Sequence, residues 1–563
     1  MVGNTLYLKR LRLVLILRFN IKYKIDIIMK KYFFISSIII FSILSCSDFL
    51  EEESRGVPTF GPAQSDSEVI SLTSALYILN NNEGPAIEDR GLYGRGAHLY
   101  SLIPSDDFVV GKEKGQIEDI KNFKAALGSY TRFIWPLHFV VIKRANDIIR
   151  DLSDNGAISQ NVKDFALGQA YFIRGLAYFQ LSLFYGDDET YGGIPIVDEN
   201  TVDFLITRPT SVKESYEFAA ESFTKAAELL PYFDNEEYFA QGTDGIAAGK
   251  GLGRAHKNAA LGYLARTHLH NAEFDAASWQ KVIDACDEVI DSGKNSLEAN
   301  FEDAFKMENN WGPEYLWSVP SNTRGGSMFP GASLENRGWG KYNGWGYFAP
   351  TLDLYESYEA GDERRDATLL AYGDEFEYFG ETRRYWSNTD QDETTGFQLR
   401  KFMDPFKAPG GINLNPNDGA FPTTNLNLPL LRYSHILLMK AEAEITLNGA
   451  GAGDTEVNLV RARAGLPSKT GATMDDLKAE RRAEFAGELF GRYEDLCRWG
   501  DTADITKALR GRFHDDLGDP DSNFTIREVW PETPLFDLST HRIWPIPETA
   551  IGSSEGTLTP NGW

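Results

Sequence analysis

Cysteine is almost missing from this chain, with three residues in 563, at positions 46, 286 and 497. Two thiols so far apart as Cys286 and Cys497 cannot build a disulfide framework, and both fall on helical patterns as small apolar core residues. Histidine is sparse too: the eight present are scattered, with no paired His or Cys spacing of the kind zinc requires. His268 and His270 fit the surface or core of a helix, so no metal and no cofactor is expected. Basic residues are in short supply, 56 Lys and Arg against 82 Asp and Glu, for a net charge of −26. That balance repels a phosphate backbone and excludes nucleic acid as a partner. With 42% hydrophobic and 13% aromatic residues, the chain can nevertheless bury a sizeable core.

The apolar run in MKKYFFISSIIIFSILSC, residues 29–46, is too short for a spanning helix, which needs about 20 residues. Its two lysines, apolar stretch and small Ser45 have the layout of a secretory signal, and a cysteine stands directly after the cut. The stretch resembles a bacterial lipobox, in which Cys46 is acylated on sulfur and becomes the new N-terminus; Leu44 stands where small residues are commoner. Several acyl chains anchor stably where one does not, so the mature protein is expected to work tethered to a membrane. Residues 1–28 would make an odd second basic leader and read as an untranslated or dispensable extension before Met29. Residues 29–45 are then the signal peptide, and 46–66 an acidic tether containing SDFLEEESRGVPTFGP. Its acidic start resembles the surface-export signal of Bacteroidota lipoproteins. Without residues 1–45 the balance is 48 basic to 81 acidic residues, a net of −33.

Residues 67–310 form a helical region. The segment WPLHFVVIKRANDIIRDL at 135–152 carries apolar residues three and four apart, the spacing of one helical face. VKDFALGQAYFIRGLAYFQLSLFY at 162–185 repeats the pattern, with Gly168, Ala170, Gly175 and Ala177 small enough to admit a neighbouring helix and a stop at Gly186. Tyr216, Ala219, Phe223, Ala226 and Pro231 match the second helix of a tetratricopeptide repeat. A looser copy follows at Ala265, His268, Phe274 and Ala277, continued after one inserted residue by Val282 and Ala285. A third helical pair is predicted within 430–464. Insertions of this length rule out a plain solenoid. The predicted fold is mostly α, a tetratricopeptide-like scaffold with long loop-rich insertions and a few short strands. The second region, 311–563, opens with a short strand at Tyr315–Pro320 and then a Gly-, Trp-, Tyr- and Asn-rich loop; 371–430 reads as irregular as well. Long loops in a compact domain are usually functional.

Four C-terminal blocks carry a family resemblance. They are RYSHILLMKAEAEI at 432–445, VNLVRARAGL at 457–466, ERRAEFAGELFGRYEDLCRWG at 480–500 and IWPIPETAIGSSEGTLTPNGW at 543–563. With LYESYEAGDERRDATL, KRANDII and GGIPIV, the chain resembles the SusD/RagB family of starch-utilisation-type outer-membrane lipoproteins. Thr549-Ala550-Ile551 and Thr559-Pro560-Asn561 depart from the family pattern in detail. The resemblance implies a SusD-like α/α superhelix with a loop-rich glycan-binding side. It also implies a cell-surface lipoprotein that passes oligosaccharide to a SusC-like TonB-dependent transporter, without catalysis.

Sugar recognition needs flat aromatic faces for pyranose rings and planar polar groups for hydroxyls. The loop ENRGWGKYNGWGY at 335–347 has that content. Trp339, Tyr342, Trp345 and Tyr347 offer faces, and Asn336, Arg337 and Asn343 offer donors and acceptors. A second candidate is the glycine-rich stretch at 90–107, with Tyr93, Arg95 and His98. For any of these aromatics the competing reading is packing against the scaffold. Arg461, Arg463, Arg481, Arg482, Arg492 and Arg498 interleave with Glu480, Glu484, Glu488, Glu494 and Asp495 and read as a structural ion-pair network. Trp135, Trp317 and Trp499 read as core. Asp519–Asn523 is faintly like a calcium loop but lacks the glycine and glutamate such a loop uses. Two other functions compete: a glycoside hydrolase, which needs a carboxylate pair that any acid-rich chain could supply, and a repeat scaffold that binds only protein.

Overall fold

The computed structural model describes residues 63–80, 93, 95–111, 115–124, 134–188, 190–203, 205–235, 252–320, 347–378, 381–385, 394–403, 426–516, 519, 521–533 and 535–563. The chain divides into two compact units, Met1–Gly61 and Pro62–Trp563, and all of these residues lie in the second. Among them no helix is long and apolar enough to cross a membrane.

The scaffold begins with α1 (Asp66–Ser74) and α2 (Arg95–Leu102). The longer helices α3 (Ile134–Ser153), α4 (Gln160–Tyr185), α5 (Val212–Leu229), α6 (Lys257–Asn271) and α7 (Ser278–Asp291) follow. Each of these five packs on the next in chain order, and α7 then meets α8 (Tyr433–Asn448) across the long insertion. The predicted helix spacings are therefore real. Tyr216, Ala219, Phe223 and Ala226 are buried along α5, and Val282 and Ala285 along α7. Close approach of α4 and α5 depends on the two glycines: a Cβ on Gly175 would sit 3.0 Å from Phe223 Cδ1, and one on Gly168 would sit 2.7 Å from Leu230 Cδ2. Helix α4 does stop at Gly186, where a side chain would strike Val212. At the other end of α5, Ser211 caps the helix by accepting the Lys213 amide at 3.1 Å.

Helices α9 (Asp454–Arg463), α10 (Met474–Phe485) and α11 (Arg492–Trp499) complete the C-terminal part. The strands are short and pair in twos, all antiparallel. Strand β1 (Phe108–Val110) pairs with β3 (Phe348–Pro350), and β2 (Tyr315–Val319) with β8 (Leu428–Arg432). Within the stretch read as irregular, β4 (Leu369–Ala371) pairs with β7 (Phe397–Leu399), and β5 (Glu375–Tyr378) with β6 (Glu381–Arg384). A hairpin of β9 (Leu509–His514) and β10 (Phe524–Trp530) has no counterpart in the sequence reading. One continuous core runs from Leu76 to Ile546 and so joins both halves of the chain. It includes Trp135, Trp317, Cys286 and Cys497.

Candidate functional site

Six arginines stacked at helical spacing would repel one another unless each met a carboxylate, and in the C-terminal half each one does. At the centre lies Arg432, fully buried at the start of α8. Its Nε donates to Glu488 Oε2 at 2.9 Å and its Nη2 to Glu488 Oε1 at 2.7 Å, a two-pronged pair. Its Nη1 reaches Glu484 Oε1 at 3.0 Å and also Glu314. Arg463 bridges the same two acids, donating to Glu314 Oε2 at 3.1 Å and to Glu484. Arg364 extends the lattice to Glu480 at 2.6 Å, and Arg461 continues it to Glu480 and Glu359. Lys401 Nζ closes the far side on Glu488 at 3.0 Å. Burial alone would raise the Glu484 carboxyl, but Arg463, Arg432 and Arg364 outweigh it and hold the group well below the usual carboxylate range.

Two further clusters flank this centre. Arg481 and Arg498 share Asp495 at 2.9 Å each, and Trp499 Nε1 donates to Glu442 at 2.8 Å, so Trp499 is tied down as well as half-buried. Arg482 Nε donates to Asp107 and Arg492 Nε to Asp106, both at 2.8 Å, while Lys507 Nζ adds Asp106 Oδ2 at 2.9 Å.

Asp106 and Asp107 link the lattice to the place from which the aromatic loop departs. They immediately precede β1, and the Thr351 amide after β3 donates to Asp107 O at 2.9 Å. Register sets Val110 beside Phe348, and the Gly111 amide donates to Tyr347 O at 3.0 Å. The loop's C-terminal end at 347 is thus held by the β1 pairing. Its N-terminal end leaves β2, whose Val319 lies beside Leu428, so the exits at 320 and 426 are neighbours. Under β2, Trp317 meets Tyr93 edge-on at 6.1 Å, Phe172 at 5.2 Å and Tyr263 at 5.7 Å. An aromatic floor thus lies under β2 at residue 320, and the β1–β3 pairing holds the chain at residue 347.

The sequence-predicted site residues divide into two groups. Trp339, Tyr342, Trp345, Asn336, Arg337 and Asn343 lie outside the described residues, as does Cys46. Three others need correcting, because they are core rather than open faces. Tyr93 and His98 are fully buried and Tyr347 is 4% exposed. Gln180 Nε2 donates to the Tyr93 hydroxyl at 2.6 Å, and His98 and Tyr347 both pack on Phe348. Arg95 is the first residue of α2. The physical reason is packing: Tyr93 is taken up by Trp317 and the Gln180 hydrogen bond, and His98 and Tyr347 by Phe348. Asp519–Asn523 forms the turn side of the β9–β10 hairpin, where Arg384 pairs with Asp521 at 2.7 Å. Among the described residues no group of three or more His, Cys, Asp and Glu is placed to hold a metal ion.

Comparison with known proteins fits this arrangement. A model of the SusD family matches residues 313–563, and a model described as starch-binding associating with outer membrane matches 105–269. The chain belongs to the SusD/RagB family. A SusD-like protein of Formosa agariphila is 26% identical over 550 residues, covering 90% of this chain and 96% of its own. A SusD-like protein of Bacteroides fragilis superposes with a TM-score of 0.70 at 21% identity, covering 89% of this chain and 98% of that one. Surface glycan-binding protein A of Bacteroides thetaiotaomicron, solved with laminarihexaose, gives 0.64 at 22% identity and covers 89% and 100%.

The SusD/RagB blocks at 432–445, 457–466 and 480–500 hold most of the lattice. Glu314, Arg364, Arg432, Glu442, Asp106 and Asp107 belong to it but were not singled out by sequence. Arg364, Arg432 and Glu442 sit inside the family-like stretches, which was the available signal; Glu314, Asp106 and Asp107 sit in segments that read as loop. Glu494 departs from the expected pairing: it accepts from Ser101 Oγ at 3.1 Å rather than from an arginine. A surface cavity of about 380 Å³ lined by Lys478, Arg482 and Arg492 offers no spare positive charge. Lys478 is bound to Asp501 at 2.8 Å, and both arginines are bound to Asp106 or Asp107.

Proposed function

We propose that this protein captures oligo- or polysaccharide at the surface of an outer membrane and passes it to a SusC-like TonB-dependent transporter, without catalysing a reaction. In this reading Cys46 carries the lipid anchor, and Trp339, Tyr342 and Trp345 stack on sugar rings while Asn336, Arg337 and Asn343 meet their hydroxyls. The observation that carries it is that the segment with the aromatic, amide-rich 335–347 sequence is flanked by β2, whose Trp317 packs on Tyr93, and by β3, whose Phe348 packs on His98 and Tyr347. A fixed base lets flat rings bind without a large ordering cost. Family membership supports the same ligand class, as does a protein of this fold that holds laminarihexaose.

A glycan array on the mature chain tests the reading, followed by affinity gels with the positive glycans. Retardation by at least one polysaccharide, with no reducing ends released, is the expected result. Released reducing ends would favour a hydrolase. Silence across the array, with protein partners captured instead, would favour a scaffold.

A further inference from the structure

Trp311 stands in the turn before β2 with a left-handed backbone, φ +69°. For a bulky side chain that conformation costs about 1–3 kcal/mol, and such strain gathers at ligand sites. The turn is held on both sides: the Gly312 amide donates to Asn309 O at 2.8 Å and the Tyr315 amide to Gly312 O at 3.1 Å. Two other aromatic residues share the conformation, Phe123 and Phe490, and both are buried in the core, where packing offsets the cost. Trp311 is only half-buried. Its indole lies along Phe233, with ring centres 6.4 Å apart and planes 27° from parallel, and Phe233 in turn rests on His256 at 5.1 Å. Core packing does not account for a tryptophan here, whereas a ring kept at the surface for a ligand does.

Three long stretches outside the described residues, 236–251, 321–346 and 404–425, join the described chain around this ring. Gly253, just after the first, lies against Pro320, just before the second. A Cβ on Gly253 would sit 2.2 Å from Pro320 Cγ and 3.4 Å from Trp311 Cη2. Just after the third, the Asn427 amide donates to Asn310 Oδ1 at 2.9 Å. The second stretch carries the tryptophans already assigned to sugar stacking. Next to Phe233, Tyr232 holds the Lys257 ammonium 5.4 Å and the Lys294 ammonium 5.7 Å from its ring centre, and Lys294 pairs with Asp234 at 2.5 Å. Flat rings beside a few charged hydrogen-bonding groups are the makeup of a sugar subsite. We propose that Trp311, backed by Phe233, stacks on one pyranose ring of the captured glycan, with Lys257 and Asp234 at hand for its hydroxyls. The subsite rests on glycan capture as the function. It adds a stacking position on the scaffold itself, at the point where residues 321–346 begin.

Calorimetry of the mature chain with an oligosaccharide ladder, cut from a polysaccharide that scores positive on the array, tests this. Trp311→Asn puts a side chain that tolerates the left-handed backbone at this position. Its affinity for the longest oligosaccharide should fall roughly tenfold while the melting temperature holds or rises. Trp311→Phe keeps a flat ring and should recover most of the loss. With 5-fluorotryptophan incorporated, the fluorine resonance missing from Trp311→Phe belongs to Trp311 and should shift as the wild type is saturated. A Trp311 resonance that saturation leaves in place overturns the subsite, whether or not the variants fold. Wild-type affinity in Trp311→Asn also overturns it, as does a steep melting loss with binding intact, which would make the ring structural. An array without a positive glycan is a different failure, since it removes glycan capture itself and the subsite with it.

Discussion

Arg432 touches three glutamates with a single guanidinium, and its removal would take one cationic partner from each, leaving Arg463, Arg364 and Lys401 to hold three buried acids. Arg432→Ala should cost about 3–5 kcal/mol, the usual penalty for leaving buried charge unmatched, measurable as a lower denaturant midpoint. The same contacts set an acid limit. Glu484, Glu488 and Asp495 are buried, yet their arginines hold them below ordinary values. Their contribution is complete above about pH 4.3, where unfolded carboxylates are ionised, and is lost as pH falls toward the folded values. Unfolding on acidification should therefore begin at higher pH in Arg432→Ala than in the wild type; identical acid transitions would contradict the lattice. Glu494 has the opposite sign, since burial pushes its carboxyl up to about 8. The folded chain keeps a proton that the unfolded chain has released between about pH 4.5 and 8, so stability falls as pH rises through that window. Glu494→Gln should remove this slope, with its melting temperature gaining on the wild type from about pH 5 to 8. Parallel curves would refute the raised value. At the proposed sugar platform, Trp339→Ala or Trp345→Ala should weaken glycan binding roughly tenfold, about 1.4 kcal/mol, with melting unchanged; a large melting loss with binding intact would make these rings core.

Helices were legible because their period is local. Apolar spacing over 135–152 and 162–185 yields α3 and α4 to within two residues, and the glycines of α4 announced a close neighbour. Substituting Gly175 by Val should cost roughly 1–3 kcal/mol, because Phe223 and the Ala219 carbonyl lie in the way; an unchanged melting temperature would show that α5 can retreat. Strands were less legible. β4 to β7 are three or four residues long, too short for alternation to show; β4 finds β7 across the whole β5–β6 pair, although β5 and β6 meet across a short turn. The β9–β10 hairpin was missed for a related reason: β10 is exposed on both faces, so it has no apolar alternation to read. Gly396 shows what holds β9 from behind. With φ at +86° and the Arg512 carbonyl only 1.8 Å from where a Cβ would be, Gly396→Ala must displace the strand. It should lower the melting temperature and quicken exchange at the Arg512 amide. The candidate site was legible as content but not as orientation. Rings at 93 and 347 look like platform residues in sequence, and only the packing of Tyr93 on Trp317 and of Tyr347 on Phe348 shows that they face the core.

The whole protein joins a helical stack to loops whose footing is independent of their sequence. Lattice and floor are built from residues outside 321–346, so that segment can change in sequence without loss of the scaffold, in keeping with 26% identity over 550 residues to a relative. Membrane attachment belongs to this scale. Cys46→Ala should release the protein from the membrane fraction while melting and glycan retention stay as in the wild type; a variant still sedimenting with membranes would refute the acylated anchor. The paired strands have one more consequence. β1 grips β3 and β2 grips β8, so each side of residues 321–346 is fastened to a distant part of the chain. A gene cut within that segment should yield two polypeptides that reassemble when coexpressed, and a single protease nick there should leave the halves travelling together until denaturant separates them.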